Sequence, residues 1–134
     1  MYLFDTDCIS NLIKKQPSEK LIHKISSLNK SDQYISTITI GELIYGALKS
    51  TRPGYYLDYL NNKLLIEVNI LDFDIHAAFI YGKIRTDLVN KGRIISNADM
   101  QIAATAVSND LILITGNIKH FESINELQIE NWLE

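Results

Sequence analysis

The sequence predicts a parallel α/β sheet covered by helices on both faces. Short apolar runs that read as strands alternate with stretches whose apolar residues recur at helical spacing. No turn signal such as Asn-Gly separates two apolar runs, so hairpins are not expected. Leu111-Ile112-Leu113-Ile114-Thr115 is continuously apolar up to its last residue, the pattern of a strand buried on both faces of a parallel sheet.

Residues 2 to 5 read as a first strand ending in Asp5, and Ile9, Leu12 and Ile13 then imply a helix, with Lys14 and Lys15 suiting its last turn. Beyond Pro17, a second amphipathic helix starts at Ser18. Leu21, Ile22, Ile25 and Leu28 line one face, Lys20, Lys24 and Lys30 lie opposite, and the polar cluster of residues 29 to 33 ends it. The β-branched stretch Tyr34 to Ile40 reads as a second strand giving way to helix near Gly41, with Leu43, Ile44, Ala47 and Leu48 as its stripe. Pro53 and Gly54 mark a break. Tyr56, Leu57, Leu60 and Leu64 suggest a further helix, and Leu65 to Leu71 a short strand. Ala77, Ala78, Ile80, Tyr81, Ile84 and Leu88 form a helix that ends before Gly92. Met100, Ile102, Ala103, Ala106 and Val107 form the next, residues 111 to 115 the late strand, and a last short strand includes Ile129. Tyr55, Tyr56 and Tyr59 crowd together, for helix packing or for an apolar interface.

With 134 residues, 46% of them hydrophobic and 22% charged, the chain is expected to form a single domain over residues 1–134 around one core. Disorder, collagen and repeat arrays are excluded by this composition. Cys8 is the single cysteine, so no internal disulfide can form and a reducing, cytoplasmic setting is expected. Asp5 and Asp7 interrupt the amino terminus before a signal-type apolar region develops, and no stretch approaches the roughly 20 apolar residues of a membrane span. His23, His76 and His120 are scattered without metal-ligand spacing and read as surface or half-buried residues, which disfavours zinc. Ser10, Ser36 and Cys8 stand in no nucleophile motif, and no Gly-rich phosphate loop is present.

Open α/β sheets bind ligands beyond the carboxyl ends of their strands. The residues there are acidic or hydroxylic: Asp5 and Asp7 after the first strand, Thr39 and Glu42 after the second, Thr115 and Asn117 after the late one. Asp99 begins the helix before it. Each acid has an ordinary structural reading. Asp7 can cap the first helix, Thr39-x-x-Glu42 matches a capping box, and Ser96-x-x-Asp99 is a looser version of one. Capping alone does not require separate elements to deliver acids to one edge. Asp99 shares a helical face with Ile102, Ala103 and Ala106, which directs it inward, and no Lys or Arg is nearby in sequence. A divalent cation would balance such a charge, and hard oxygen ligands select Mg²⁺ or Mn²⁺.

The blocks Leu3-Phe4-Asp5-Thr6-Asp7, Ile35 through Ala47, Gly82-Lys83-Ile84-Arg85, Asp99 through Ala106, Ile114-Thr115-Gly116-Asn117 and Glu130-Asn131-Trp132 occur in an order that resembles the PIN-domain ribonucleases of the VapC toxin type. The resemblance covers nearly the whole chain. It implies a PIN-like α/β/α sandwich with a central parallel sheet and a Mg²⁺- or Mn²⁺-dependent endoribonuclease. Asp5, Glu42 and Asp99 would then be the catalytic, metal-holding acids, with Thr6, Asp7, Thr115 and Asn117 lining the site. It further implies in-line cleavage of a structured RNA, a tRNA or rRNA loop, leaving a 5′-phosphate, together with a cognate VapB-type antitoxin and a homodimer. Two positions depart from the family. Asp7 stands where Asn is frequent, and adds an acid or caps the helix; Asn117 stands where many PIN domains have a fourth acid.

Two rival readings remain at this level. Asp5-x-Asp7 also fits a haloacid-dehalogenase-like phosphatase, which would lack its downstream Lys and acidic pair here, and a PIN-like fold can bind RNA or protein without catalysis. The net charge of −3 does not exclude RNA, because residues 110–134 alone carry −4 and residues 1–109 sum to +1. Lys83, Arg85, Lys91 and Arg93 lead towards Asp99 and are candidate phosphate contacts, or else an ordinary solvated helix face.

Overall fold

In a computed structural model, which describes residues 1–134, strand β1 (Tyr2–Phe4) runs through Asp5 directly into helix α1 (Thr6–Ile13). The turn is tight because Asp5 caps the helix, its Oδ1 accepting the Thr6 N–H at 2.8 Å. Ser18 caps α2 (Glu19–Ser26) in the same way. A 3₁₀ turn, Lys30–Asp32, leads into β2 (Gln33–Ser36) and helix α3 (Thr37–Lys49). The predicted strand through Ile40 thus stops four residues early. Ser36 Oγ accepts the Thr39 N–H at 3.0 Å and starts the helix, so a cap overrides the weak strand preference of Thr37, Ile38, Thr39 and Ile40. Thr39 consequently lies within the first turn, and the capping box with Glu42 does not form.

Pro53 opens α4 (Pro53–Tyr59), which continues through a wide π turn, Leu60–Leu64, into the last turn α5 (Leu65–Glu67). Leu60 and Leu64 are both buried. The predicted strand over 65–71 shrinks to β3 (Asn69–Leu71). Helix α6 (Ile75–Asn90) is capped by Asp74, and α7 (Asn97–Ser108) by Ser96, whose Oγ accepts the Asp99 N–H. Strand β4 (Ile112–Ile114), the short helix α8 (Ile118–Phe121) and β5 (Ile129–Glu130) complete the chain much as the apolar pattern predicts.

The five strands pair in parallel in the order β3-β2-β1-β4-β5. Phe4 pairs with Ile114 and Ser36 with Leu71, so the turns after β1, β2 and β4 emerge on one edge. Alternation along the strands divides the expected single core into two. Leu3 and Leu113 face one side, with Ile84, Leu88, Ile102 and Phe121; Phe4, Ile35 and Ile114 face the other, with Ile9, Leu21 and Trp132. Helix α7 is buried nearly all round. Ala103, Ala104 and Ala106 are inaccessible, and their small side chains let this helix lie close against its neighbours. It touches α6, β4 and α3. No helix is long and apolar enough to cross a membrane.

Candidate active site

Two turns on the carboxyl edge, those after β1 and β4, are bonded to each other. The Asp5 N–H donates to the Ile114 carbonyl at 2.9 Å, and the fully buried Thr115 hydroxyl donates to Asp5 Oδ2 at 2.8 Å. Thr115 Oγ1 in turn accepts the Asn117 N–H at 3.0 Å. Asp5 is only 3% exposed. Burial is the main reason its carboxyl is pushed up to about 7, with the Asp7 and Asp99 carboxylates adding to it; hydrogen bonds from Thr115 and Thr6 act in the opposite direction. No Lys, Arg or His pairs with it. The neighbouring Cys8 thiol is also pushed up, by burial and then by Asp7 and Asp5, and it lies 3.2 Å from the Ile114 carbonyl as a packed core group with no nucleophile's setting.

Helices deliver the other acids. Glu42, exposed on α3, accepts the Thr6 hydroxyl at 2.6 Å; the Thr6 and Thr39 hydroxyls lie 3.2 Å apart, and Thr39 is fully buried beside Ser36. Asp99, in the first turn of α7, is half-buried at the rim, and the core does not enclose it. Its Oδ2 lies 3.1 Å from Nδ1 of His120 on α8. No Lys or Arg pairs with Asp99, as the sequence leads one to expect, but the chain returns through β4 and brings the His120 imidazole back over α7. That side chain, which sequence spacing treated as unremarkable, belongs to the rim.

Asp5, Thr6, Glu42, Asp99 and Thr115 are therefore brought to one edge. Asn117 contributes its backbone N–H while its side chain is exposed and caps nothing. Asp7 does not cap α1, since Asp5 holds that position. Its Oδ2 instead accepts the Gly116 N–H at 2.8 Å, which ties up the group that a phosphatase would use as its acid. Gly116 was a missed participant; its signal in the sequence is a glycine wedged between two site-lining residues. Among the basic residues, Arg85 donates to Tyr81 Oη at 2.9 Å, and Tyr81 donates to Asn97 Oδ1 at 3.0 Å, a link to the helix that carries Asp99. Lys91 is held elsewhere, 2.8 Å from Asp87 and bonded to the Ser123 carbonyl. Lys83 and Arg93 are exposed and form no ion pair.

An edge of carboxylates and hydroxyls with a buried, uncompensated acid at its centre suits a hard divalent cation. No three His, Cys, Asp or Glu side chains close together into a cage by themselves. A cation bound at Asp5 would therefore take one or two carboxylates directly and complete its shell with waters, as Mg²⁺ does.

A family model described as the PIN domain matches residues 2–127. Ribonuclease VapC2 of Haemophilus influenzae is 35% identical over 132 residues, 98% of each chain. The tRNA(fMet)-specific endonuclease VapC of Salmonella typhimurium is 37% identical over 131 residues, covering 98% of this chain and 97% of that one. Among solved structures, VapBC2 from Rickettsia felis, bound to a DNA fragment from their promoter, superposes with a TM-score of 0.90 at 36% identity over 98% of both chains. FitAcB from Neisseria gonorrhoeae gives 0.90 at 32% identity, over 98% of this chain and 97% of that chain.

Proposed function

The chain belongs to the PIN-domain family, among the VapC-type ribonucleases of toxin–antitoxin pairs, and on that premise we propose that it is an endoribonuclease dependent on Mg²⁺ or Mn²⁺ that cuts a structured RNA. The observation that carries the metal assignment is Asp5: a nearly inaccessible carboxylate, raised by burial and by two neighbouring acids, with no protein cation beside it. Asp5 and Asp99 would hold the ion, with Glu42 directly or through water. When bound, the cation lowers the pKa of a coordinated water and neutralises charge on the scissile phosphate.

The chain's own residues set the stage for that chemistry. Thr115 keeps Asp5 Oδ2 oriented by its 2.8 Å hydrogen bond, and Thr6 does the same for Glu42 at 2.6 Å. Lys83 and Arg93 are free to meet phosphates along α6 and the loop after it; Arg85 would do so from its hydrogen bond to Tyr81, whereas Lys91 is engaged with Asp87 and Ser123. The relative from Salmonella is named for tRNA(fMet), and a tRNA or rRNA loop with unstacked nucleotides is the substrate class we assign to this chain. The VapBC and FitAB complexes among its structural relatives support a VapB-type antitoxin as partner, with self-association into a homodimer. Residues 1–134 are read as a single PIN-like domain.

The test is cleavage of RNA by purified protein freed of any partner. Activity with Mg²⁺ or Mn²⁺, its loss in EDTA, and its loss in Asp5→Asn and Asp99→Asn are expected. Full activity in those two variants, or in EDTA, overturns the assignment.

A further inference from the structure

Asp7 is the acid of this edge that the cation assignment leaves without a task. We propose that Asp7 is a positioning residue: its carboxylate holds the Thr115–Asn117 turn against α1, and that turn in turn holds Asp5. The proposal rests on the metal-dependent nuclease reading above for its consequence, and on geometry for its substance.

Beyond the bond from the Asp5 N–H to the Ile114 carbonyl, two carboxylate hydrogen bonds link the two turns. Thr115 donates through its hydroxyl to Asp5 Oδ2, and Gly116 donates through its backbone N–H to Asp7 Oδ2, each at 2.8 Å. Strand pairing cannot replace the second bond. The Thr115 N–H still reaches β5, donating to the Glu130 carbonyl at 3.0 Å, but the sheet ladder ends there and the Gly116 N–H has Asp7 as its partner. Without that acceptor a partly buried amide would be orphaned, and the cheapest remedy is for the turn to move towards water. Such a movement carries the Thr115 hydroxyl away from Asp5.

The approach is close, and any side chain at this position presses on its neighbours. A Cβ at position 116 would lie 3.0 Å from Asp7 Oδ2 and 2.6 Å from Leu133 Cδ1. The far side of the turn is itself anchored, since the Ser18 hydroxyl ahead of α2 donates to the Leu133 carbonyl at 3.0 Å. Gly116 is thus clasped between a carboxylate on α1 and the carboxyl-terminal segment. Asp7 Oδ1, meanwhile, is buried without a hydrogen-bond partner. One acceptor oxygen does the holding, and the negative charge is not needed for it, so asparagine should serve as well.

The experiment compares Asp7→Ala with Asp7→Asn in the full chain, using amide hydrogen exchange in metal-free protein, calorimetric titration with Mn²⁺, and RNA cleavage. In Asp7→Ala the Gly116 amide should exchange at least about 10-fold faster, Mn²⁺ binding should weaken by about 10- to 100-fold, the range typical of a lost outer partner, and kcat should fall while KM for RNA holds. Asp7→Asn should restore all of these to within a few-fold. The proposal is overturned if Asp7→Asn is as defective as Asp7→Ala, or if Asp7→Ala leaves Gly116 exchange and Mn²⁺ binding unchanged. It is overturned too if the parent protein binds no Mn²⁺. If Asp7→Ala does not fold, Gly116→Ala carries the test: the added Cβ crowds Asp7 Oδ2 and should weaken Mn²⁺ binding several-fold, an unchanged value counting against the proposal. Exchange and titration need no RNA. A parent protein that binds Mn²⁺ with the Asp7 contrast intact yet cuts no RNA defeats the nuclease reading and leaves the positioning role standing.

Discussion

The acidic edge has two halves built on opposite plans. Asp5 stands at the end of a central strand, nearly inaccessible, with both carboxylate oxygens held by hydrogen bonds from Thr6 and Thr115. Glu42 and Asp99 stand on helices, reach the rim from either side, and meet single partners, Thr6 and His120. The strand half has geometry fixed in advance and an unfavourable buried charge. The helix half has little desolvation to overcome and more freedom to adjust. In the proposed metal site Asp5 would be the fixed ligand and Asp99 and Glu42 the adjustable ones, with waters completing the shell.

Substituting the anchor should do the greatest harm. Asp5→Asn is expected to lower RNA cleavage by more than about 100-fold, beyond the loss typical of outer partners, while Glu42→Gln should lose closer to 10-fold. Equal losses at the two positions would erase the proposed distinction. Removing the orienting hydroxyl comes next. Thr115→Val should weaken Mg²⁺ binding by about 10- to 100-fold, and Thr6→Val by less, because Glu42 is exposed and can reorient; calorimetric titration of both variants sharpens the comparison.

The buried charge also has a pH signature. In metal-free protein the Asp5 carboxyl is raised from 3.8 to about 7, so between those values the folded state holds a proton that the unfolded chain has released. Stability from this group is full below about 4 and is lost as pH rises towards 7. Thermal melts in EDTA should show Tm falling across that window, with the dependence weakened in Asp5→Asn and with Mg²⁺ raising Tm more at pH 8 than at pH 5. A flat profile would contradict the buried anchor. The smallest effect is expected at His120. The imidazole is the more exposed partner of Asp99, where even an ion pair is worth up to about 1 kcal/mol, so His120→Ala should change cleavage by less than about 5-fold. A larger loss would place His120 on the substrate.

Much of the strand half was legible in the chain. A short apolar run ending in Asp5, and the later run ending in Thr115, announce strand ends in a parallel sheet, and ligands collect at such ends. The helix starting at Ser36 was not legible. Four residues of strand-favouring sequence follow it, and only the cap and the packing of α3 decide against them. Asp7's two readings, added acid or helix cap, could not be separated for a related reason: Asp5 and Asp7 are equally good caps by residue type, and which one faces the helix amides depends on the backbone angle at the turn. Local chemistry ranks the choices, and tertiary contacts pick among them.

The sequence by itself determined the strand and helix alternation, the parallel sheet, the three acids at its edge and the family resemblance that the comparisons bear out. These depend on residue type and on periodicity along the chain, which are local quantities. Only the tertiary structure decided that Asp5 is buried while Glu42 is exposed, that His120 returns to Asp99, and that Asp7 reaches across to Gly116. Those pairs are separated by 21 residues for Asp99 and His120 and by 109 for Asp7 and Gly116. No local pattern encodes such distances: parallel pairing of β1 with β4 sets the turn carrying Gly116 beside the one carrying Asp7, and the return of the chain through β4 sets α8 with His120 against α7 with Asp99.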